Sequence, residues 1–587
     1  MSSRLTNLIA ISLLVFVFAI AVFSIKDDSL TMDELAHLPA GYSYLTQKDM
    51  RLNPEHPPLI KDLAALPLLF IKGISFPLNS PAWQKDVNGQ WEFGNQFLFR
   101  SGNPAEKIIF LARIPMIFVL LLLGFYVFKW AKELYGNKAA LLALFLFAFS
   151  PTFLAHGRLV TTDIGAALGV VLASYYFLKF LKESSKKSLL IAGLALGLAL
   201  LTKFSTILIL PFLGFLILVS AWLNSASGRQ FLVSFFTHGL KFVVILIIAL
   251  TVVWLLYVYH VWNYPPEKQA QDASSILASH PIQALRKIIP PLSDSSVLRP
   301  LAAYLLGLVM VLQRGAAGNT TYFLGEVSAT GWKNYFPVVY LIKEPLPFFI
   351  LLLIGVLTAA YLVKKPFWQN PLSRLRGWLK NHFVEFSFLS FIAFYWLTTL
   401  GGNLNIGVRH LLPVFPFTIL LTSGLALLWL RPPFLKPKLA LLGLLLAWQA
   451  FSVINVYPSF LAYFNELAGG PSQGYIYAVD SNLDWGQDLK RLDQWLEKNK
   501  IEKIYLDYFG GSDTRYYLGQ RYLPWRGDQK PEELTATPYL AVSATLLQGG
   551  RGEPVKGFRD KTGYYRWLDQ YKPVTTIGHS IFVYKID

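Results

Sequence analysis

Residues 8–45 read LIAISLLVFVFAIAVFSIKDDSLTMDELAHLPAGYSYL. The run 8–25 is uncharged and close to the roughly 20 apolar residues that cross a bilayer as a helix. A few residues later come Asp33 and Glu34, with His37 one helical turn on. Thr31-x-x-Glu34 fits a capping box, and acidic residues suit the first turn of a helix. That explains Glu34 and leaves Asp33 without a task. The stretch RLNPEHPPLIKDLAALPLLF (51–70) then places Glu55, His56 and Lys61 around prolines, before more apolar sequence. Ionisable groups crowded at a membrane are costly and mark function.

The rest of the chain extends this pattern. Of its 587 residues, 54% are hydrophobic and 15% charged, against about 25% charged in soluble chains. Several further runs reach membrane-spanning length, so the chain is expected to cross the membrane many times. The 53 Lys+Arg against 35 Asp+Glu give +18. In a soluble protein that balance would suggest nucleic acid. Here much of it falls in short connections between apolar runs, and no nucleic-acid partner is expected. Without cysteine there is no disulfide and no thiolate zinc site. The first run is too long for a usual signal peptide and FSIKDD offers no small-x-small cleavage site, so it reads as an uncleaved helix.

Spans are expected near 6–25, 108–128, 139–155, 164–181, 189–202, 204–222, 240–260, 346–363, 386–400, 411–430 and 439–457. With the N-terminus cytoplasmic, the inner connections are KWAKELYGNK, KESSKK, NSASGRQ, KKPFWQNPLSRLRGWLK and RPPFLKPK. All carry Lys or Arg, as cytoplasmic loops do. The outer face then holds the loop 26–107, the short HGRLVTTD (156–163), the segment 261–345 and the tail. Within 261–345, LAAYLLGLVMVL suggests a re-entrant or interfacial helix. The tail changes character. DWGQDLKRLDQWLEKNK has Leu489, Leu492 and Leu496 on one helical stripe, and KIYLDYF, PYLAVSA and SIFVYKI read as strands. The expected fold class is an all-α polytopic membrane protein of about 11 transmembrane helices with a small α/β extracytoplasmic C-terminal domain. The expected domains are 1–457 and 458–587, in a cell membrane.

One reaction suits this layout: a hydroxyl acceptor attacks the anomeric carbon of a sugar carried on a lipid phosphate. Attack needs a base, which a carboxylate supplies. The departing phosphate needs cations rather than an acid. Candidate carboxylates are Asp33, Glu34 and Asp163, which opens a span and so also suits a cap. Candidate cations are Lys61, Lys203, Lys343 and Arg409. A lone Lys at a boundary also serves as a snorkelling anchor. Arg409 follows the Gly-rich GGNLN and immediately precedes a span on the carboxylate side. His37, His56, Arg158 and His410 are candidate substrate-binding residues. The histidines, including His156, leave a divalent metal open, but no H-E-x-x-H spacing occurs and no required cofactor is expected. Asp480 and Asp484 in DSNLDWGQDL suit sugar or metal binding, but the commoner role, capping the helix that follows them, is the one expected. Asn319-Thr-Thr is a glycosylation sequon by pattern.

TMDELAHLPAGYSYL, LNPEHPPLIKDLAALP, HGRLVTTD, GLALLTKFS, NYFPVVYLIKEPLP, NIGVRHLLPVFPF and DSNLDWGQDLKRL together resemble the bacterial phospholipid-carrier-dependent glycosyltransferases. These are relatives of protein O-mannosyltransferases and aminoarabinose transferases with the GT-C membrane fold. The resemblance covers nearly the whole chain. It implies polyprenyl-phosphate sugar donors, inversion at the anomeric centre, Asp33 as base with Glu34 beside it, and Asp163 as the second loop aspartate. EHPP stands where aminoarabinose transferases often carry a cation, and the tail differs from the repeat domain of eukaryotic mannosyltransferases. The acceptor (protein, lipid or glycan) stays open. A lipid-linked sugar transporter or flippase would keep charges near the bilayer midplane and show repeats. This chain has neither. A non-catalytic binding subunit is the other alternative.

Overall fold

The computed structural model describes residues 2–363 and 369–586. The first five residues of the basic connection 364–380 lie outside them. A helix stands at every expected span. Seven of the eleven are long apolar helices: Ser3–Ser24, Ala105–Tyr135, Asp163–Glu183, Phe204–Leu223, Gly228–His260, Phe383–Leu400 and Leu435–Ile454. The other four, Asn137–Ala148, Lys186–Leu200, Leu346–Tyr361 and Phe415–Trp429, are shorter. The 12 residues of Asn137–Ala148 rise only about 18 Å. The run 139–155 is not one helix because Ser150 starts a second: its Oγ accepts from the Phe153 N–H and Pro151 occupies the first helical position. The prolines of KEPLP likewise break Tyr335–Lys343 from Leu346–Tyr361, bent by 107°.

The two ends of the bundle are distinct. At one, Lys132 Nζ meets Ser3 Oγ and Asn7 Oδ1, and Arg376 donates to the carbonyls of Trp222 and Leu223. The first basic connection thus lies beside the N-terminus, and the described part of the fourth beside the third. At the other lie the loop 26–107, the segment 261–345 and the tail. Asn263 N–H donates to Lys48 C=O, and Asn465 N–H to Ile342 C=O.

LAAYLLGLVMVL lies in Arg299–Ala317, which by length and composition could itself cross a membrane. Its anchors say otherwise. Arg299 Nη2 donates to Tyr264 C=O, and Asn403 Nδ2 to Ala316 C=O at 2.8 Å. Tyr264 follows one span and Asn403 another, both at the loop-bearing end, so the helix lies across that end as the interfacial reading expects.

Beyond residue 458 the chain builds a five-stranded mixed sheet in the order Tyr522–Pro524, Ile504–Asp507, Tyr539–Ser543, Ile581–Lys585, Thr575–Ile577. Alternation sorts its faces. Ile504, Leu506, Ala541, Ile581 and Val583 pack against Leu489, Leu492 and Leu496 of Leu489–Lys498. Leu540, Val542, Phe582 and Tyr584 face the other way, onto Trp525 and Tyr565. A hairpin from the long segment, Thr321–Phe323 with Glu326–Ser328, pairs with Glu553–Pro554. The tail also grips the first loop: Ser29 N–H donates to Gln487 C=O and Met32 N–H to Trp485 C=O.

Candidate active site

Thr31 caps the helix Met32–Gln47, which presents Asp33 and Glu34 in its first turn. The two acids have different fates. Glu34 is wholly buried and accepts from Thr31 N, Thr31 Oγ1, Val160 N and the Nε and Nη2 of Arg113. The Arg113 pair closes to 2.6 Å. Burial pushes the Glu34 carboxyl up, and Arg113 with the other donors more than reverses it, so it stays ionised. A carboxylate with five donors has nothing left to take a proton with. Glu34, expected among the catalytic residues, instead locks the helix start onto the span Ala105–Tyr135 and the loop at Val160.

Asp33 remains partly accessible, its side chain 23% exposed. Its Oδ2 accepts from Arg409 Nη1 at 2.6 Å. The same Nη1 lies 3.4 Å from Asp163 Oδ2, and Asp163 Oδ1 takes Lys203 Nζ at 2.5 Å. Two carboxylates and two cations thus alternate in one cluster, drawn from positions 33, 163, 203 and 409. Burial raises the Asp33 carboxyl, and Arg409 followed by His37 brings it below its ordinary value. The adjacency of Glu34 therefore does not raise Asp33. Arg409 is itself held by Trp485, whose ring centroid is 4.1 Å from its guanidinium carbon. Asn482 Oδ1 accepts from Val408 N–H, and Ser481 Oγ donates to Ile406 C=O.

Three histidines surround this cluster. His37 Nδ1 lies 2.9 Å from Val160 C=O, and its ring meets that of His56 edge-on at 4.8 Å. Burial lowers both, His56 far below its usual range. His410 follows Arg409 directly and is lowered well below the usual range, first by burial and then by Lys203 and Arg409. Among the described residues no group of three or more His, Cys, Asp or Glu is disposed to hold a metal ion.

Three expected site cations have other partners. Lys61 Nζ donates to Tyr44 Oη, Asn53 C=O, Asn53 Oδ1 and His56 C=O within 2.9 Å. Lys343 Nζ is spent on the carbonyls of Leu461, Tyr463 and Asn482. Arg158 is buried against Asp28 at 2.7 Å, which also holds Arg491. All three fasten loops at this end of the bundle; Lys61 and Lys343 leave no donor for a phosphate, whereas the Arg158 Nε is buried without a hydrogen-bond partner. Asp480 and Asp484 do not cap the next helix, whose N-cap is Asp488. Asp484 Oδ2 accepts from Thr545 N–H, and Asp480 Oδ1 from Ser481 N–H. Arg113 and Trp485 were not singled out in the sequence. A lone Arg inside an apolar span was the signal for the first.

Residues 105–254 match the dolichyl-phosphate-mannose-protein mannosyltransferase family. That stretch includes Arg113, Arg158, Asp163 and Lys203, and it agrees with the resemblance carried by the motifs. No curated protein matches the chain. Among solved structures, the Saccharomyces cerevisiae protein O-mannosyltransferase Pmt1-Pmt2 complex bound to the sugar donor is 20% identical over 45% of this chain, with a TM-score of 0.34. The chain spans only 34% of that relative's length. The Archaeoglobus fulgidus oligosaccharyltransferase in its apo form is 13% identical over 93% of this chain and 71% of its own, with a TM-score of 0.47. ArnT from Cupriavidus metallidurans bound to undecaprenyl phosphate is 13% identical over 100% of this chain and 98% of its own, with a TM-score of 0.30. None of these scores reaches 0.5.

Proposed function

We propose that this protein is an integral membrane glycosyltransferase that moves a sugar from a polyprenyl phosphate to an acceptor on the extracytoplasmic face. The carrying observation is the Asp33–Arg409–Asp163–Lys203 cluster, assembled from four distant segments at the end of the bundle that holds all the large loops. The family match over residues 105–254 supports it. In this reading the N-terminus is cytoplasmic, and residues 458–587 form an extracytoplasmic unit.

The resting cluster is self-neutralised. A donor phosphate entering it competes with Asp33 and Asp163 for Arg409 and Lys203. Arg409 offers a planar fork suited to phosphate oxygens, and Lys203 offers a point charge. As Arg409 turns to the phosphate, Asp33 loses the partner that depresses its basicity. It can then take the proton of an acceptor hydroxyl attacking the anomeric carbon from the face opposite the phosphate. The C–O bond to phosphate breaks with inversion, and its charge settles on Arg409 and Lys203. Asp163 keeps both cations in place.

The test is undecaprenyl phosphate binding to the purified protein in nanodiscs. Arg409→Ala should weaken it at least tenfold, and Arg409→Lys should retain part of it. Unchanged affinity in Arg409→Ala sinks the phosphate assignment.

A further inference from the structure

A cavity of 270 Å³ opens between the hairpin at Thr321–Phe323 and the C-terminal sheet. Its wall carries four aromatic residues, Tyr322, Phe509, Phe558 and Tyr564, and three charged ones, Asp480, Asp560 and Lys561. Two carboxylates against one ammonium disfavour a phosphate or any other anion. The volume lies just below the ~300 Å³ at which pockets for drug-sized ligands begin, so it suits a single ring rather than an extended chain. Aromatic faces with carboxylate acceptors match a neutral polyhydroxyl ring, whose C–H face packs on the aromatics while its hydroxyls donate to the acids.

The cavity is mechanically joined to the cluster. Asp480 begins the turn Asp480–Asn482, whose next two residues hold the carbonyl of Ile406 and the N–H of Val408, just before Arg409. Asp480 N–H is fixed by Thr545 Oγ1 at 3.0 Å, with Asp480 at φ +57°, a left-handed conformation in which Asp is enriched. Thr321 on the opposite wall donates to Asn405 C=O.

We propose that this cavity binds one neutral sugar ring of the acceptor, with Asp480 accepting from its hydroxyls and the reacting hydroxyl delivered toward Asp33. The acceptor role rests on the glycosyltransferase reading; the sugar chemistry of the cavity does not.

The experiment uses the full chain in nanodiscs and methyl pyranosides (the α-mannoside, β-glucoside and α-galactoside) in saturation-transfer NMR. At least one should bind the wild type. Asp480→Asn should weaken it tenfold or more. Gly549 lines the cavity, and a Cβ built there meets nothing within 4 Å, so Gly549→Trp should fill the space without disturbing the fold and abolish the signal. Undecaprenyl phosphate should bind Gly549→Trp as it binds wild type, which also reports that the variant is folded. No pyranoside binding to wild type, or equal binding to Gly549→Trp, overturns the subsite. Binding of an unglycosylated peptide that Gly549→Trp displaces, without pyranoside binding, also overturns it. Pyranoside binding without undecaprenyl phosphate binding leaves a sugar site and overturns the glycosyltransferase reading instead.

Discussion

Asp33 and Glu34 are neighbours in sequence with different surroundings, one partly accessible beside Arg409 and the other buried against Arg113. Asp33→Asn keeps size and most hydrogen bonding but cannot take a proton. Turnover should fall by ~10²–10⁴-fold, as for loss of a positioned general base, while undecaprenyl phosphate binding persists. Turnover within about threefold of wild type at saturating donor would move the base to Asp163. Glu34→Gln should act on stability instead, because it leaves Arg113 buried without its counter-charge, which costs about 3–5 kcal/mol. Thermal unfolding in nanodiscs should show a clear drop in Tm, and an unchanged Tm would return Glu34 to a capping role alone. Asp480 supplies a pH test. Burial lifts its carboxyl to about 6 although Arg409 opposes this; Asp33 adds to the rise and Arg314 counters it. As pH falls through about 6 the carboxylate is protonated and loses an acceptor, so pyranoside affinity should decline on the acid side. A flat profile between pH 5 and 7.5 would remove Asp480 from the contact. The acidic pair was legible in the sequence because it followed a span so closely. The division of labour was not, because Arg113 sits 79 residues from Glu34 and Arg409 sits 376 from Asp33.

At the scale of elements, the segment 480–489 ties the C-terminal domain to the cluster. It braces Arg409 through Trp485 and Asn482, and it pairs with residues 29–32 just ahead of Asp33. The tail therefore orders both halves of the cluster. Trp485→Leu keeps apolar bulk and removes the aromatic face under Arg409, an interaction of about 0.5–2 kcal/mol. Undecaprenyl phosphate affinity should fall by ~2–30-fold, with Tm lowered less than in Glu34→Gln. Equal affinity would mean that Trp485 only fills space. Breaks between elements were largely readable. LLTKF splits its long apolar run at 201–203 as expected, and the prolines of KEPLP bend theirs. The roles of Lys61 and Lys343 were not readable, since a sequence shows a cation but not the carbonyls that other segments fold around it.

For the whole molecule, parity relates the N-terminus to the tail. The first loop and the tail touch through Ser29–Gln487 and Met32–Trp485, so an odd number of crossings separates the N-terminus from the tail. Eleven crossings satisfy this only if Arg299–Ala317 lies flat, as its two anchors at one end require. The alternation of Lys/Arg-rich connections fits the same parity and is the ground for proposing that the end opposite the tail is cytoplasmic. The chain has no cysteine, so single cysteines report cleanly. Lys187, in the connection KESSKK, and Glu502, in the tail, are both exposed. An impermeant thiol reagent on intact cells, with the outer envelope opened where one exists, should modify Glu502→Cys and not Lys187→Cys; permeabilisation should expose both. Labelling of Lys187→Cys alone would invert the orientation and place the cluster in the cytoplasm. Equal labelling of both before permeabilisation would break the parity argument and with it the flat placement of Arg299–Ala317.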